Sequence, residues 1–433
     1  MEEDERRAFC DRLPWNHVFQ GFFVACPLRV AATFLCCCSD DTYLCAIRIF
    51  ARKRAREREV SYLGKACSQE SVDERYMRRA LELAARGVGW TNPNPQVGAV
   101  IVKDGRIIGE GWHTAYGRLH AEREALANCS EDPAGATIYV TLEPCCHWGK
   151  TPPCTEAIIE AKFARVVVGS PDPNPLVAGK GCKILREAGI DVVESVLLDE
   201  CLKINEVFFH YIQTNLPLVT VKYAMTLDGK IATKTGASRW ITSEAARKKV
   251  HEDRHRFAAI MVGIGTVLTD DPELTSRLPE IETKDPLRVI IDSSARTPLD
   301  SKIAISAHDV PTLIAVSAQA PKERIAALEE AGCEIFQSGR CSQVDLKALL
   351  EYLGKEHAID SVLVEGGATL LWSLFSEGLV DRVQAYIAPK IFGGKDAPGP
   401  VQGSGIELPS QAIQFANPVI TQLGNDLLIE CEV

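Results

Sequence analysis

Positive charge is in short supply in this chain. Its 48 lysines and arginines face 58 aspartates and glutamates, for a formal net charge of -10. A general nucleic-acid binder is thereby excluded, because neutralising a phosphate backbone takes concentrated cations. Any phosphate held here is small and local. A long unbroken apolar run is also missing: residues 18–34 come nearest, but Pro27 and Arg29 interrupt them, leaving a stretch too short and too polar to span a bilayer. No membrane segment is expected. An organellar leader is not expected either, since such leaders are rich in Arg and Ser and lack acids, whereas the chain opens Met1-Glu2-Glu3-Asp4-Glu5. Nor are the cysteines spaced as a disulfide framework. Of 16, seven precede residue 72, three share one short segment and the others stand singly, the usage of buried free thiols in a reducing, cytoplasmic setting.

What is present suits a folded, water-soluble protein: 433 residues, 46% hydrophobic and 24% charged, room for about two to three domains with full cores. Residues 1–71 differ from the rest, with Cys36, Cys37 and Cys38 in a row and a mixed charge run over 52–59. No domain pattern is visible there. The segment is expected to be a disordered extension or the product of too early a start, with Val72 as the alternative.

From residue 74 to 86 the apolar Met77, Ala80, Leu81, Ala84 and Ala85 recur at helical spacing. A β-branched strand over 97–102 follows the turn-rich 91–95, and Asp104-Gly105 turns it into a second strand to make a hairpin. Helices are predicted at 120–127 and 154–161, and strands at 136–141 and 165–169. Strands alternating with helices imply a three-layer α/β/α domain over 72–215. A helix through Phe208 and Tyr211 ends at Asn215-Leu216-Pro217. Beyond it, strands at 218–224, 259–262, 287–292, 312–316, 361–364 and 383–387, with helices such as 322–331 and 346–352, make a second α/β domain over 216–433.

The strongest chemical signal is His120-Ala121-Glu122 followed by Pro144-Cys145-Cys146-His147-Trp148-Gly149-Lys150-Thr151-Pro152-Pro153-Cys154. One His and two Cys make a zinc site, and three protein ligands leave a tetrahedral ion an open position for a water whose pKa it lowers. His120, Cys145 and Cys154 are the expected ligands. Glu122 is the general acid/base that zinc deaminases keep beside the metal, not on it. The competing reading is a closed structural site with Cys146 or His147 as fourth ligand. Such a site has no need of Glu122, and a neighbour one or two residues from Cys145 rarely reaches the same ion.

In these motifs the segment from about Asp73 to Gln213 resembles the pyrimidine deaminase domain of the bacterial RibD family of riboflavin-biosynthesis enzymes, a branch of the cytidine-deaminase fold. The eight residues between Cys145 and Cys154, where the wider superfamily usually has two, and the upstream Thr91-Asn92-Pro93-Asn94-Pro95-Gln96-Val97-Gly98 both fit that branch. Arg123 departs from it, standing where apolar residues are common. The resemblance implies deamination of 2,5-diamino-6-ribosylamino-4(3H)-pyrimidinone 5′-phosphate, with Asn94 on the pyrimidine. Lys150 is either a phosphate contact or a solvated loop lysine.

In the second half, Val362-Leu363-Val364-Glu365-Gly366-Gly367-Ala368-Thr369-Leu370 reads as a strand, a glycine turn and a helix start, a shape that can cradle phosphate but is commonplace alone. Its company is 222–232, Ser238-Arg239-Trp240-Ile241-Thr242 and Gly265-Thr266-Val267-Leu268-Thr269-Asp270-Asp271-Pro272. Together these resemble the reductase domain of the same family, related in fold to dihydrofolate reductase. The resemblance implies a bifunctional enzyme, a zinc hydrolase and an NADPH-dependent oxidoreductase that turns the ribosyl group of the aminouracil product into ribityl. It implies NADP contacts at Ala224, Trp240, Thr266, Asp270, Gly367, Ala368, Thr369, Leu370, Leu371, Trp372 and Ser373. Substrate contacts are implied at Ser238, Arg254, Leu274, Arg277 and Glu365, the two arginines offering charge-assisted forks to a ribose phosphate or lying on a solvated face. Lys222 and Asp228 stand as alternative proton donors, or as strand-end and turn residues. Partners are then small phosphorylated pyrimidines, with a homo-oligomer through the reductase domain. The alternative is a working deaminase joined to an inert reductase.

Overall fold

The computed structural model describes residues 70–148, 152–174, 176–339 and 342–433. Residues 1–69 and Lys150 lie outside them.

Ser71 opens the first helix, α1 (Val72–Ala84), with a capping box: its hydroxyl accepts from the Glu74 amide while the Glu74 carboxylate accepts from the Ser71 amide, satisfying two otherwise orphan donors. Strands β1 (Gly98–Lys103) and β2 (Arg106–Trp112) form the expected hairpin, closed by Asp104-Gly105 with both residues at positive φ, the geometry of a two-residue turn that matches strand twist. Then come α2 (Ala121–Ala127), β3 (Thr137–Leu142), α3 (Cys154–Glu160), β4 (Arg165–Ser170), α4 (Lys180–Glu187), β5 (Asp191–Val193), α5 (Leu198–Ile204) and α6 (Glu206–Thr214). The sheet order is β2-β1-β3-β4-β5. Alternation along the strands assigns the layers. Ala99, Ile101, Ile138, Val140, Val166 and Val168 pack against Ala121, Ala125, Ile158 and Leu185 of α2, α3 and α4. Val100, Val102, Tyr139 and Val167 face Met77, Ala80 and Leu83 of α1 and Cys201 of α5. The result is the three-layer sandwich that the sequence led one to expect.

The second half carries β6 (Leu218–Thr226), α7 (Glu244–Arg256), β7 (Ala259–Gly263), α8 (Ile264–Asp270), β8 (Leu287–Ile291), α9 (Lys302–Ile305), β9 (Thr312–Ser317), α10 (Lys322–Glu330), β10 (Glu334–Ser338), α11 (Leu346–Lys355), β11 (Ser361–Val364), α12 (Ala368–Ser376), β12 (Arg382–Ala388), β13 (Ala416–Leu423) and β14 (Asp426–Glu432). Its sheet runs β10-β9-β8-β7-β11-β6-β12-β14-β13. The first seven run parallel to one another, β14 is antiparallel to β12, and β13 is antiparallel to β14. One face is covered by α11 and α12, the other by α7 through α10. Chain order reverses at β7-β11-β6, and in open α/β sheets ligands bind at the carboxyl ends of strands beside such a reversal.

Candidate active sites

The first site lies at the carboxyl end of β3. His120 is the N-cap of α2, with extended backbone, and Cys154 is the first residue of α3. Two helix starts thus bring two donors to one point. Cys145 comes from the loop after β3. His120 Nδ1 lies 3.4 Å from Cys145 Sγ and 3.5 Å from Cys154 Sγ, and the three donor atoms fall within 4.8 Å of one another. The Cys154 amide also donates to Cys145 Sγ at 3.3 Å, which holds the acceptor in place. One imidazole and two thiols at this spacing suit zinc. The rival fourth ligands are elsewhere engaged or aimed: Cys146 Sγ donates to the Leu176 carbonyl at 3.6 Å, and neither Cys146 nor His147 joins the cluster among the described residues.

Glu122 sits in the first turn of α2, 4% exposed, and burial pushes its carboxyl up. It lines a cavity of about 320 Å³ with Asn94, His113, His120, Cys145, His147, Asp172 and Asn174. His113 Nδ1 donates to the Leu119 carbonyl at 2.9 Å, leaving Nε2 to accept from Asn94 Nδ2 at 3.1 Å. Burial keeps that imidazole neutral by lowering it. Asn94 is therefore left with its carbonyl oxygen and one N–H for a ligand. Sequence reasoning missed His113, Asp172 and Asn174. Burial pushes Asp172 up to about 6 despite the main-chain hydrogen bond from Asn174.

A second cavity, of about 860 Å³, opens beside the carboxyl ends of β6 and β11. Of the residues expected there, it gathers Ala224, Ser238, Trp240, Arg254, Arg277 and Glu365, together with Lys222. Glu365 is at the centre. Arg254 grips it bidentately, Nε to Oε1 at 2.7 Å and Nη2 to Oε2 at 3.1 Å, and Lys222 Nζ lies 3.5 Å from Oε2. Burial alone would raise the Glu365 carboxyl, but Arg254 and Lys222 outweigh it and hold the group at about 2. Burial and the neighbouring Arg254 and Arg277 keep His251, also in the cavity, down at about 4.

Several expected roles change in detail. The Arg254 fork is spent on Glu365 and the Thr275 carbonyl, not turned outward. Arg277 Nη1 is exposed and shared between Glu273 and Thr275. Asp228 is a turn tie: Thr226 Oγ1 and the amides of Phe392 and Gly393 all donate to it, and it stands apart from the cavity lining. Leu274, Leu370 and Leu371 have their side chains in the core, so only their main chains are available to a ligand. Thr266, Asp270 and the 367–373 segment stand outside the lining of this cavity. Thr266 Oγ1 and the Gly366-Gly367 turn, both glycines at positive φ, adjoin at the switch point, where bare amides at the start of α12 face any anion. Arg247, Lys248 and Tyr386 line the cavity unforeseen; α7, which carries two of them, has too few apolar residues to show a helical period.

Fold and sites together define a zinc-dependent deaminase joined to a nucleotide-dependent reductase. Family models described as "cytidine and deoxycytidylate deaminase zinc-binding region" and "RibD C-terminal domain" match residues 70–170 and 217–429. Riboflavin biosynthesis protein RibD of Actinobacillus pleuropneumoniae is 50% identical over 360 residues, covering 83% of this chain and 95% of its own. The Escherichia coli protein of that name is 41% identical, over 82% and 98%. Among solved structures, Acinetobacter baumannii RibD shares 39% identity with a TM-score of 0.75, over 84% of this chain and 99% of its own. A Thermotoga maritima protein described as a diaminohydroxyphosphoribosylaminopyrimidine deaminase/5-amino-6-(5-phosphoribosylamino)uracil reductase shares 40%, with a TM-score of 0.73 over 83% and 98%. The chain belongs to the RibD family of riboflavin-biosynthesis proteins.

Proposed function

We propose that the chain performs two consecutive steps of riboflavin biosynthesis, the deaminase over residues 72–215 and the reductase over 216–433. The carrying observation is the His120, Cys145 and Cys154 cluster with Glu122 buried at its side, in one cavity with Asn94.

In the first step, water replaces the exocyclic amine of 2,5-diamino-6-ribosylamino-4(3H)-pyrimidinone 5′-phosphate, giving a ring carbonyl and ammonia. His120, Cys145 and Cys154 would hold zinc, which when bound would supply the Lewis acidity that brings a water toward ionisation at neutral pH. Glu122 takes one proton from the attacking water and gives it to the ring nitrogen, then carries the remaining hydroxyl proton to the amine, which leaves as ammonia while the ring carbonyl forms. A buried carboxyl with a raised pKa suits both directions of transfer. Asn94, fixed by His113, orients the pyrimidine.

In the second step, NADPH supplies a hydride to the ribose C1′, and a proton must reach the ring oxygen that leaves that carbon. Lys222, in the cavity and steered by Glu365, is the donor in this reading; Asp228 is occupied by its turn. Ser238, Arg254, Leu274, Arg277 and Glu365 shape the substrate side. Ala224, Trp240, Thr266, Asp270 and the stretch Gly367, Ala368, Thr369, Leu370, Leu371, Trp372 and Ser373 shape the cofactor side, the two leucines, like Leu274 on the substrate side, through their main chains. No observation favours an inert reductase.

A homo-oligomer through the reductase domain belongs to the same reading: β13 is a sheet edge with Val419 52% and Ile420 65% exposed, and such edges invite pairing. No helix among the described residues is long and apolar enough to cross a membrane, and the eight described cysteines are free; a reducing cytoplasmic setting suits them. The test is to incubate the zinc-loaded protein with the diaminopyrimidinone ribosyl phosphate, with and without NADPH, following ammonia and NADPH absorbance. Ammonia without NADPH, then NADPH oxidation matched by a ribitylamino product, is expected; no ammonia would remove the reading.

A further inference from the structure

The wall of the deaminase cavity is held from behind by the other domain. Segment 89–97, which carries Asn94, hangs between two anchors. At one end Asn205 clamps Gln96, its Oδ1 accepting from the Gln96 amide at 2.8 Å and its Nδ2 donating to the Gln96 carbonyl at 3.0 Å. At the other, Asn92 Nδ2 donates to both carboxylate oxygens of Asp360, each at 2.9 Å, across 268 residues of sequence. Between the anchors the Asn94 amide closes a turn onto Thr91 O at 2.8 Å, so a shift at Asn92 is carried to Asn94.

Asp360 is itself fixed in the reductase sheet. Its carbonyl accepts from the first amide of β6, Leu218, at 2.8 Å, and Ser361 Oγ, opening β11, donates to its carboxylate at 2.7 Å. The neighbouring backbone is seated as closely: Trp90 meets His255 edge to face at 5.7 Å, and a Cβ on Gly89 would lie 2.4 Å from the His255 carbonyl. Asp360 is 2% exposed, and its hydrogen-bond partners, Asn92 and Ser361, are neutral. Lys284 acts on it only through space, and mere adhesion between domains is served by apolar contact at less cost than a buried carboxyl hydrogen-bonded by neutral groups alone.

We infer that Asp360, in the reductase domain, is a positioning residue for the deaminase reaction, holding the Asn92 to Asn94 turn at the distance from the zinc cluster that pyrimidine binding requires. This rests on the reading of Asn94 as a pyrimidine contact. Asp360 touches neither substrate nor metal; it acts through Asn92.

The test uses full-length, zinc-loaded protein carrying Asn92→Asp, Asn92→Ala, Asp360→Asn, the double exchange Asn92→Asp with Asp360→Asn, and Asn94→Ala. Each is assayed for ammonia release from the diaminopyrimidinone ribosyl phosphate, for reduction of the deaminated product with NADPH, and for zinc content. Asn92→Asp sets two carboxylates face to face and is expected to raise the deaminase KM by about 10-fold, the scale of a sub-ångström displacement of a binding group. Reductase kcat/KM and zinc content stay at wild-type values. Asn92→Ala, which adds no charge, moves the KM the same way. The double exchange recreates the bond with donor and acceptor swapped and brings the KM back to within about twofold. A merely structural contact would lower both activities and the melting temperature together. Wild-type deaminase kinetics in Asn92→Ala, or failure of the double exchange to rescue Asn92→Asp, would overturn the inference. Asn94→Ala separates the two failures: an unchanged KM there removes the reading of Asn94 and this inference with it, whereas a raised KM in Asn94→Ala beside wild-type kinetics in Asn92→Ala overturns the role of Asp360 alone.

Discussion

Two buried carboxylates do opposite work in the two sites, and their surroundings explain why. For Glu122 burial outweighs the opposing pull of His120 and raises its carboxyl, which suits proton transfer near neutral pH. Glu122→Gln keeps the shape and removes the base, so ammonia release is expected to fall by about 10²–10⁴-fold, with zinc content by atomic absorption and NADPH-dependent reduction unchanged. Loss of the metal in that variant would mean that Glu122 is structural. Glu365 is equally buried but meets Arg254 and Lys222, and is held at about 2 against an ordinary 4.5. A depressed folded pKa stabilises above the unfolded value and is lost as pH falls toward the folded one. The ion cluster therefore contributes in full above about pH 4.5 and is lost by about pH 2, a difference of about 3 kcal/mol. Acid titration of wild type and Glu365→Gln by circular dichroism is expected to show a steeper loss for wild type across that window. Parallel curves would mean that the carboxylate is solvated.

At the scale of elements, the zinc site depends on how closely α2 approaches β2. Gly111 permits it: a Cβ there would lie 2.3 Å from the Ala125 amide and 2.7 Å from the Ala121 carbonyl, so Gly111→Val must push away the helix that carries His120 and Glu122. Zinc retention and deaminase activity are expected to fall together, with reductase activity preserved, as read by metal content after gel filtration. Normal zinc content would show that α2 can shift without opening the cluster. The hairpin at Asp104-Gly105, the alternating strands and the His-Cys-Cys spacing were legible because each is a local pattern with a local cause. Helix α7 was not: its thirteen residues bury only Ala246, Asp253 and His255, so no apolar stripe marks it. Strand β13 is exposed almost throughout and offers no alternation to read, and β5 has only three residues. His113, Asp172 and Arg247 belong to sites by long-range folding alone. The glycine turn and helix start at 366–368 were legible, but the side chains of Leu370 and Leu371 fill the core, a distinction that a glycine-turn motif cannot carry.

At the scale of the whole molecule, the β13 edge is where the proposed oligomer would form. A charge on it opposes strand pairing, so Ile420→Lys is expected to lower the mass measured by sedimentation without changing either activity of the zinc-loaded chain. An unaltered mass would place the contact elsewhere or leave the chain monomeric. The two chemistries, though joined through Asp360, use separate groups: His120, Cys145 and Cys154 hold no part of the reductase cavity, and Lys222, Arg254 and Glu365 none of the zinc cavity. Their order is set by substrate, because the reductase acts on the deaminated ring. Chelation separates them. With zinc removed, the diaminopyrimidinone ribosyl phosphate is expected to cause neither ammonia release nor NADPH oxidation, while the aminouracil ribosyl phosphate supplied directly is reduced at an undiminished rate. NADPH oxidation from the diamino compound in the presence of chelator would show that the reductase accepts the ring before deamination. Failure to reduce the aminouracil only when zinc is absent would show that the metal also supports the fold of the second domain, through the same seam that Asn92 and Asp360 close.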